Sequence, residues 1–362
     1  MNYLKYINPG IGSIKPYEPG KSVEDVTKKY NLDKIIKLAS NENSLGPSPK
    51  VTDVINNFKD IHLYPDGDGK KLKSKISEIE GLSDENIILG NGSNEILEII
   101  SQAFLSPRCE CIFSKHAFVV YKLASKVRGS KFHEVEANSW GHDLEKFVGK
   151  INQKTRMIFI ANPNNPTGTY LSHDSIINFL KKVPSEIIVV IDLAYYEYVI
   201  ADDYIKPLEV LQNFKNVLIT KSFSKIHALS ALRIGYGMGN EKLIEIMNRV
   251  RQPFNVNAIA QVAAIAALSD TDYLQKSIDN NTNEREFICK CLDKMSVEYI
   301  PSQGNFICID VKTNGLEIFE SLMQKGVIVR PIELYDMPNF IRVTIGKRSE
   351  NEFFIEKLKE CL

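Results

Sequence analysis

KSFSKIHALSALRIGYG, Lys221 to Gly237, sets two hydroxyls and an amine within four residues, Ser222, Ser224 and Lys225, with Arg233 eight residues further on. Arginine offers a charged fork and serine a short donor, so the set suits a bound phosphate. A lysine beside a bound aldehyde can form a Schiff base. A phosphate cup next to a reactive amine is what pyridoxal phosphate (PLP) requires. Read alone, the same stretch is equally an ordinary buried strand followed by a loop with surface Lys and Arg. The flanking chain has to decide.

Working outward, Asn216–Thr220 reads as the strand that delivers this stretch, and Ile234–Gly239 as a further strand. IIVVI (Ile187–Ile191) is a continuous β-branched run of the kind buried on both faces of a parallel sheet, and it ends in Asp192. RMIFIA (Arg156–Ala161) is an apolar strand ending in NPNNPTG (Asn162–Gly168). NIILGNGSNEILEIISQAF (Asn86–Phe104) reads as strand, turn and helix, with Gly90 and Gly92 in the turn and Ser93 or Asn94 as the cap. The bare N–H groups of such a helix start suit phosphate. GNGSNE is also half of a dinucleotide fingerprint. Glu95 stands at the third glycine, and no acidic residue follows the next strand at the expected distance, which argues against a nicotinamide site.

Short strands at Cys111–Ser114 and Lys131–Glu136, and helices over Phe118–Arg128 and Ser172–Val183, complete an alternation that predicts an α/β domain with a mainly parallel sheet. Ligands in such sheets sit beyond the carboxyl ends of the strands. Gly92, Asn165, Asp192 and Lys225 all fall just past predicted strand ends. Downstream, NAIAQVAAIAAL (Asn257–Leu268) and Asp270–Cys291 read as helices. Asn305–Val311, Leu316–Lys325, Val327–Pro331, Phe340–Thr344 and Ser349–Leu362 read as β, α, β, β, α, a small α+β unit that the N-terminal segment is expected to join.

Lys and Arg number 45 and so do Asp and Glu, and the balance provides no electrostatic footprint for nucleic acid or an anionic membrane surface. No apolar run approaches the ~18 residues of a membrane span, and the N-terminus has no apolar core of signal-peptide type, so a cytoplasmic protein is the expectation. The six cysteines include two C-x-C pairs but no C-x-x-C and no histidine at ligand spacing, which predicts free thiols and no metal.

PLP needs an anion cup for its phosphate, a carboxylate for its pyridine nitrogen, donors for its phenolic oxygen and an amine for its aldehyde. Asp192, Asn165, Tyr195 and Lys225 are residues of those types at strand ends. NPNNPTG, DLAYYEY (Asp192–Tyr198), SFSK (Ser222–Lys225) and LRIGYG (Leu232–Gly237) resemble the signature blocks of fold-type I aminotransferases in order and spacing. With YPDG (Tyr64–Gly67), GNGSNE, RQPFNVN (Arg251–Asn257), QGNFI (Gln303–Ile307), VRPI (Val329–Ile332) and IRVTIG (Ile341–Gly346), nearly the whole chain resembles the histidinol-phosphate aminotransferase family, in class II of that group.

The resemblance implies a PLP-dependent transferase with a large, mainly parallel-sheet domain over 45–255 and a small α+β domain from 1–44 and 256–362. It implies an amino transfer between L-histidinol phosphate and 2-oxoglutarate in histidine biosynthesis. Lys225 would bind the cofactor covalently and then shuttle a proton, Asp192 would pair with the pyridinium, and Asn165 and Tyr195 would hold the phenolic oxygen. Phe118 would stack on the ring, and Gly92, Ser93, Asn94, Ser222, Ser224 and Arg233 would form the phosphate site. Tyr64 would reach that phosphate from the other subunit of a homodimer. Arg342 would clamp the substrate carboxylate, and Arg330 and Tyr17 would help hold the substrate phosphate. Alternatives on the same scaffold are a threonine-phosphate decarboxylase and an aromatic amino acid aminotransferase; a non-catalytic PLP-binding protein is a third. Departures from the family pattern are Leu193 after the aspartate, His227-Ala228 and Ala231 after the lysine, and Lys115-His116-Ala117 before Phe118. His227 reads as a substitute for an aromatic ring, and His116 and His142 as loop residues.

Overall fold

The computed structural model describes residues 3–16 and 20–362; Tyr17 lies outside them. A short strand β1 (Ile36–Lys37) precedes seven strands that form the main sheet. These are β2 (Ile87–Gly90), β3 (Glu110–Ser114), β4 (Lys131–Val135), β5 (Thr155–Ala161), β6 (Ile188–Asp192), β7 (Val217–Ser222) and β8 (Gly235–Gly239). Their order across the sheet is β2-β8-β7-β6-β5-β3-β4, and β8 alone runs against the others. The α/β architecture expected from the alternating pattern is therefore present.

Burial on both faces explains why the central strands are so apolar. Val189 and Ile191 of β6 face one core with the helix Ala258–Leu268, whereas Ile188 and Val190 face a second core with the helix Gly92–Phe104. Each such Val or Ile contributes about 1.5–3 kcal/mol by leaving water. The glycines of β8 let the helix Gly92–Phe104 settle close: a Cβ on Gly235 would stand 2.5 Å from the backbone nitrogen of Ser93. That approach sets the helix start against the end of β7.

A four-stranded sheet, ordered β12-β13-β10-β9, contains β9 (Tyr299–Ile300), β10 (Phe306–Asp310), β12 (Arg330–Pro331) and β13 (Phe340–Thr344), while β11 (Val327–Ile328) pairs with β1. Val327–Pro331, which reads as one strand, is thus two. The chain switches sheets at buried Val329 and carries Arg330 across to pair in register with Arg342. These strands and the helices Gly315–Gln324 and Arg348–Cys361 share a third core. The Ala258–Leu268 helix, placed by the sequence at the head of the smaller unit, instead packs in the first core with the helices Pro49–Asn56 and Lys70–Glu80, its small side chains permitting close contact. No helix among the described residues is long and apolar enough to cross a membrane.

Candidate active site

Beyond the carboxyl ends of β5, β6 and β7 lies a cavity of about 170 Å3. Ten of the residues singled out by sequence line it: Ser93, Asn94, Phe118, Asn165, Asp192, Tyr195, Ser222, Ser224, Lys225 and Arg233. Among the described residues, no group of three or more His, Cys, Asp or Glu side chains is placed to hold a metal ion.

One end of the cavity is built to receive an anion. Arg233 adopts the left-handed conformation (φ 54°), and its Nη1 donates to Ser224 Oγ at 3.2 Å and to the Ser230 carbonyl at 3.1 Å. Ser224 N–H donates to Ser222 Oγ at 3.1 Å. Gly92, with φ 73°, lies so close that a Cβ would come within 2.5 Å of Arg233 Nη2. The helix boundary is Asn91, not Ser93 or Asn94. Asn91 N–H donates to Glu95 Oε2 at 2.7 Å, which leaves Ser93 and Asn94 in the first turn, facing the cavity. Glu95, the residue that spoils the dinucleotide fingerprint, is thus a strut for this turn. Free N–H groups, a guanidinium and two hydroxyls converge as phosphate binding demands.

The opposite wall carries Asp192, the last residue of β6, 5% exposed. Thr220 Oγ1 donates to its Oδ1 at 3.1 Å, Tyr121 Oη to its Oδ2 at 3.1 Å and Ala194 N–H to Oδ1 at 3.2 Å. Burial nevertheless raises its pKa above the usual carboxylate range; those three donors and the Lys225 charge only partly oppose the rise. Among the described residues Asp192 has no ion-pair partner. A buried carboxylate held by three donors and lacking a cation fits a protonated pyridine ring.

Between these ends stands Tyr195, whose hydroxyl accepts from Asn41 Nδ2 at 2.9 Å and Asn165 Nδ2 at 3.1 Å. Burial, partly opposed by Arg342, pushes its pKa up to about 12, so it is a neutral donor. Arg342 donates from Nη1 to Asn165 Oδ1 at 2.6 Å and from Nη2 to the Ala39 carbonyl at 3.0 Å. Its Nε is buried without a hydrogen-bond partner. Among the described residues no carboxylate forms an ion pair with this guanidinium, which fits a place for a ligand anion.

Lys225 Nζ donates to the Ser40 carbonyl at 3.1 Å and lies 5.8 Å from the centre of the Tyr195 ring. Loss of solvent, then the charge of Arg342 and, more weakly, of Arg233, lower its pKa to about 8; Glu42 and Asp192 oppose the shift. An amine so poised is a nucleophile near neutral pH.

Of the other sequence candidates, Gly92 and Arg342 touch cavity-lining residues without lining the cavity, and neither Tyr64 nor Arg330 lines it. Tyr64 is 83% exposed, and its ring lies tilted with its centre 4.9 Å from that of Phe254. Arg330 pairs in register with Arg342 across β12 and β13. Tyr17 lies outside the described residues. His227 is packed 5.1 Å from the Phe223 ring, and burial, with Lys221 nearby, lowers its pKa to about 4, as suits a ring in a core. His116 and His142 do sit in loops, and both are buried there: His116 Nδ1 is hydrogen-bonded to the Tyr335 carbonyl, and His142 Nε2 to that of Ala161.

Sequence reasoning missed Tyr121, Thr220 and Asn41. Tyr121 had one available signal: it stands three residues after Phe118, one helical turn on, and its ring meets that of Phe118 edge-on at 5.9 Å.

Comparison with known proteins agrees with this geometry. The family model for aminotransferase class I and II matches residues 33–358. A protein of Caldicellulosiruptor saccharolyticus named histidinol-phosphate aminotransferase is 45% identical over 97% of this chain and 99% of its own. One of Idiomarina loihiensis, named histidinol-phosphate aminotransferase 1, is 42% identical over 99% and 98%. The crystal structure of histidinol-phosphate aminotransferase from Sinorhizobium meliloti in complex with pyridoxal-5'-phosphate superposes with a TM-score of 0.89 at 25% identity, covering 98% of this chain and 97% of that one.

Proposed function

The chain belongs to the class I and II aminotransferase family, and from that premise we propose that it uses PLP to move an amino group from L-histidinol phosphate to 2-oxoglutarate, a step of histidine biosynthesis. The observation that carries this reading is one cavity holding an uncompensated buried Asp192, the activated Lys225 and, at its far end, the cup of Ser222, Ser224, Arg233 and the Gly92–Phe104 helix start.

PLP bound there supplies an electron sink for bond breaking at the substrate α carbon. The chain's residues have separate tasks. Ser93, Asn94, Ser222, Ser224 and Arg233 hold the cofactor phosphate. Asp192, hydrogen-bonded by Thr220, Tyr121 and the Ala194 N–H, pairs with the ring and fixes its charge. Phe118 covers one ring face, and Asn165 with Tyr195 donates to the phenolic oxygen. Lys225 Nζ would take the proton from the α carbon of the amino donor in one half-reaction and supply one to the α carbon of the acceptor in the other, aided by a pKa close to the working pH. Arg342 receives the carboxylate of 2-oxoglutarate, and Arg330, with Tyr17, the phosphate of the amino donor.

Tyr64 serves the cofactor of a second copy in a homodimer. Its exposure, next to Ile61 at 77%, Leu63 at 57% and Phe254 at 47%, supports a covered face at that point. The cofactor-binding unit begins near residue 45 and extends beyond 255 to the end of the Ala258–Leu268 helix, as its packing in the first core supports. The cytoplasm is the proposed place of action.

The test mixes PLP-loaded protein with histidinol phosphate alone and then adds 2-oxoglutarate. One equivalent of the corresponding ketone per subunit, followed by glutamate, is expected. Carbon dioxide release from threonine phosphate, or turnover of phenylalanine or tyrosine with no response to histidinol phosphate, would replace this reading by one of its neighbours on the same scaffold.

A further inference from the structure

Residues 39–43 run past the cavity as a strap, and its groups meet different functional side chains. The Ala39 carbonyl accepts from Arg342 Nη2 at 3.0 Å and the Ser40 carbonyl from Lys225 Nζ at 3.1 Å. Asn41 Nδ2 donates to Tyr195 Oη at 2.9 Å, and Asn43 Nδ2 to the carbonyl of Ile226, next to Lys225, at 2.8 Å. Asn41 is 1% exposed and left-handed (φ 54°), a conformation that asparagine tolerates better than most residues. Its carbonyl accepts from Asn305 Nδ2 at 3.0 Å.

The orientation of the Asn41 amide is fixed from β13. Asn41 N–H donates to Thr344 Oγ1 at 2.9 Å, so the proton of that hydroxyl is free for Asn41 Oδ1, 3.3 Å away. Oδ1 therefore faces Thr344 and Nδ2 faces Tyr195. Arg342, two residues earlier on the same face of β13, does the same for Asn165. A guanidinium only donates, so Asn165 Oδ1 faces Arg342 and its Nδ2 faces Tyr195 at 3.1 Å. Two amide donors thus converge on one oxygen. Tyr195 Oη accepts from both, and its single proton is left to donate into the cavity that this residue lines.

We propose that Asn41, held by Thr344, is a positioning residue for the amino transfer: it makes Tyr195 a one-way donor to the phenolic oxygen of bound PLP, and so lowers the pH at which Lys225 Nζ, once bonded to the cofactor, releases its proton. That nitrogen and the phenolic oxygen are neighbours on the cofactor and share one proton. A donor on the oxygen draws off its negative charge and loosens the proton on the nitrogen. The charged groups that act on Lys225 are Arg342, Glu42, Arg233 and Asp192, and Tyr195 also faces Tyr335; a change at Asn41 leaves all of them in place. The inference rests on the PLP reading above and adds a residue that touches neither cofactor nor substrate.

The test titrates the visible absorbance of the bound cofactor against pH in PLP-loaded protein without substrate. Asn41→Gly keeps the left-handed backbone and removes the amide; the midpoint rises by about one pH unit, the scale of one hydrogen bond. Tyr195→Phe raises it at least as far, and adding Asn41→Gly to Tyr195→Phe moves it no further, because Asn41 acts through that hydroxyl. Thr344→Val releases the amide and gives a smaller rise, whereas Thr344→Ser keeps the hydroxyl and stays at the wild-type midpoint. This pair decides the matter if Asn41→Gly does not fold. A merely structural strap would shift the midpoint equally with and without the Tyr195 hydroxyl. That result would overturn the inference, as would a midpoint that Asn41→Gly and Thr344→Val leave unchanged or lower. If wild type forms no visible band with PLP, the cofactor reading itself has failed; a band whose midpoint ignores Asn41 sinks the inference alone.

Discussion

Two lysines four residues apart at the end of β7 meet opposite surroundings. Lys221 points to the face of the sheet that carries the Ala258–Leu268 helix, Lys225 to the cavity. Lys221 is 5% exposed, yet its Nζ is 2.8 Å from Glu80 Oε1 and 3.8 Å from the centre of the Tyr196 ring. Tyr236, its register partner on β8, donates to the same Glu80 oxygen at 2.7 Å. Burial alone would lower its pKa, but Glu80 and Glu197 more than offset that, and the pKa is raised. Among the described residues no carboxylate is hydrogen-bonded to Lys225, and its pKa is pushed down to about 8. Both amines lose solvent, yet one becomes a permanent cation and the other a reagent; the carboxylate beside Lys221 decides.

The sharpest way to break this contrast is Lys225→Ala. Turnover should fall about 10^4-fold, since the proton carrier is gone, while the melting temperature stays close to wild type. Comparable turnover in the variant would remove Lys225 from its role. Glu80→Gln should do the reverse. It leaves Lys221 buried and unpaired, a cost of about 3–5 kcal/mol read by denaturant unfolding. Adding Lys221→Met should recover most of that loss, and a double variant as unstable as the single one would show that the pair is not what holds the region.

Asp192→Asn keeps the shape and removes the charge. Turnover should drop about 10^2- to 10^3-fold, the scale of one preorganised electrostatic contact, with weaker PLP retention on dialysis. The smallest effect concerns pH. Lys225 must be neutral to react, so PLP uptake by the cofactor-free protein should speed up about tenfold per unit as pH rises toward about 8 and then level off. The sign follows from the lowered pKa: an unshifted lysine would keep accelerating to about 10.4. A profile without a plateau near 8 would mean that the cavity does not depress Lys225.

Lys225, Asp192, Asn165 and Arg233 were legible in the sequence because each sits in a short local pattern: a polar residue closing an apolar β-branched run, or hydroxyls at fixed offsets from an amine. Tyr121 and Asn41 were not, because their contacts bridge 71 and 154 residues and neither residue type is distinctive where it stands. The Lys221–Glu80 pair spans 141 residues and was hidden for the same reason. In the fold, the alternation of strands and helices was readable from burial. The reversal of β8 was not, since GYGMG has a composition set by the close approach of the Gly92–Phe104 helix and says nothing of direction. Nor was the division of Val327–Pro331 into two strands, for a buried residue at a sheet switch looks like any other buried valine.

Ala161, Asp192 and Thr220 pair side by side across β5, β6 and β7. The gap between Asp192 and the hydroxyls that begin at Ser222 is therefore gauged by backbone pleat, much as teeth on a rack set a pitch, and not by adjustable side chains. Anyone re-engineering this scaffold for another amine can change side chains around the cavity, but an insertion of a single residue in β6 or β7 would throw the whole instrument out of calibration.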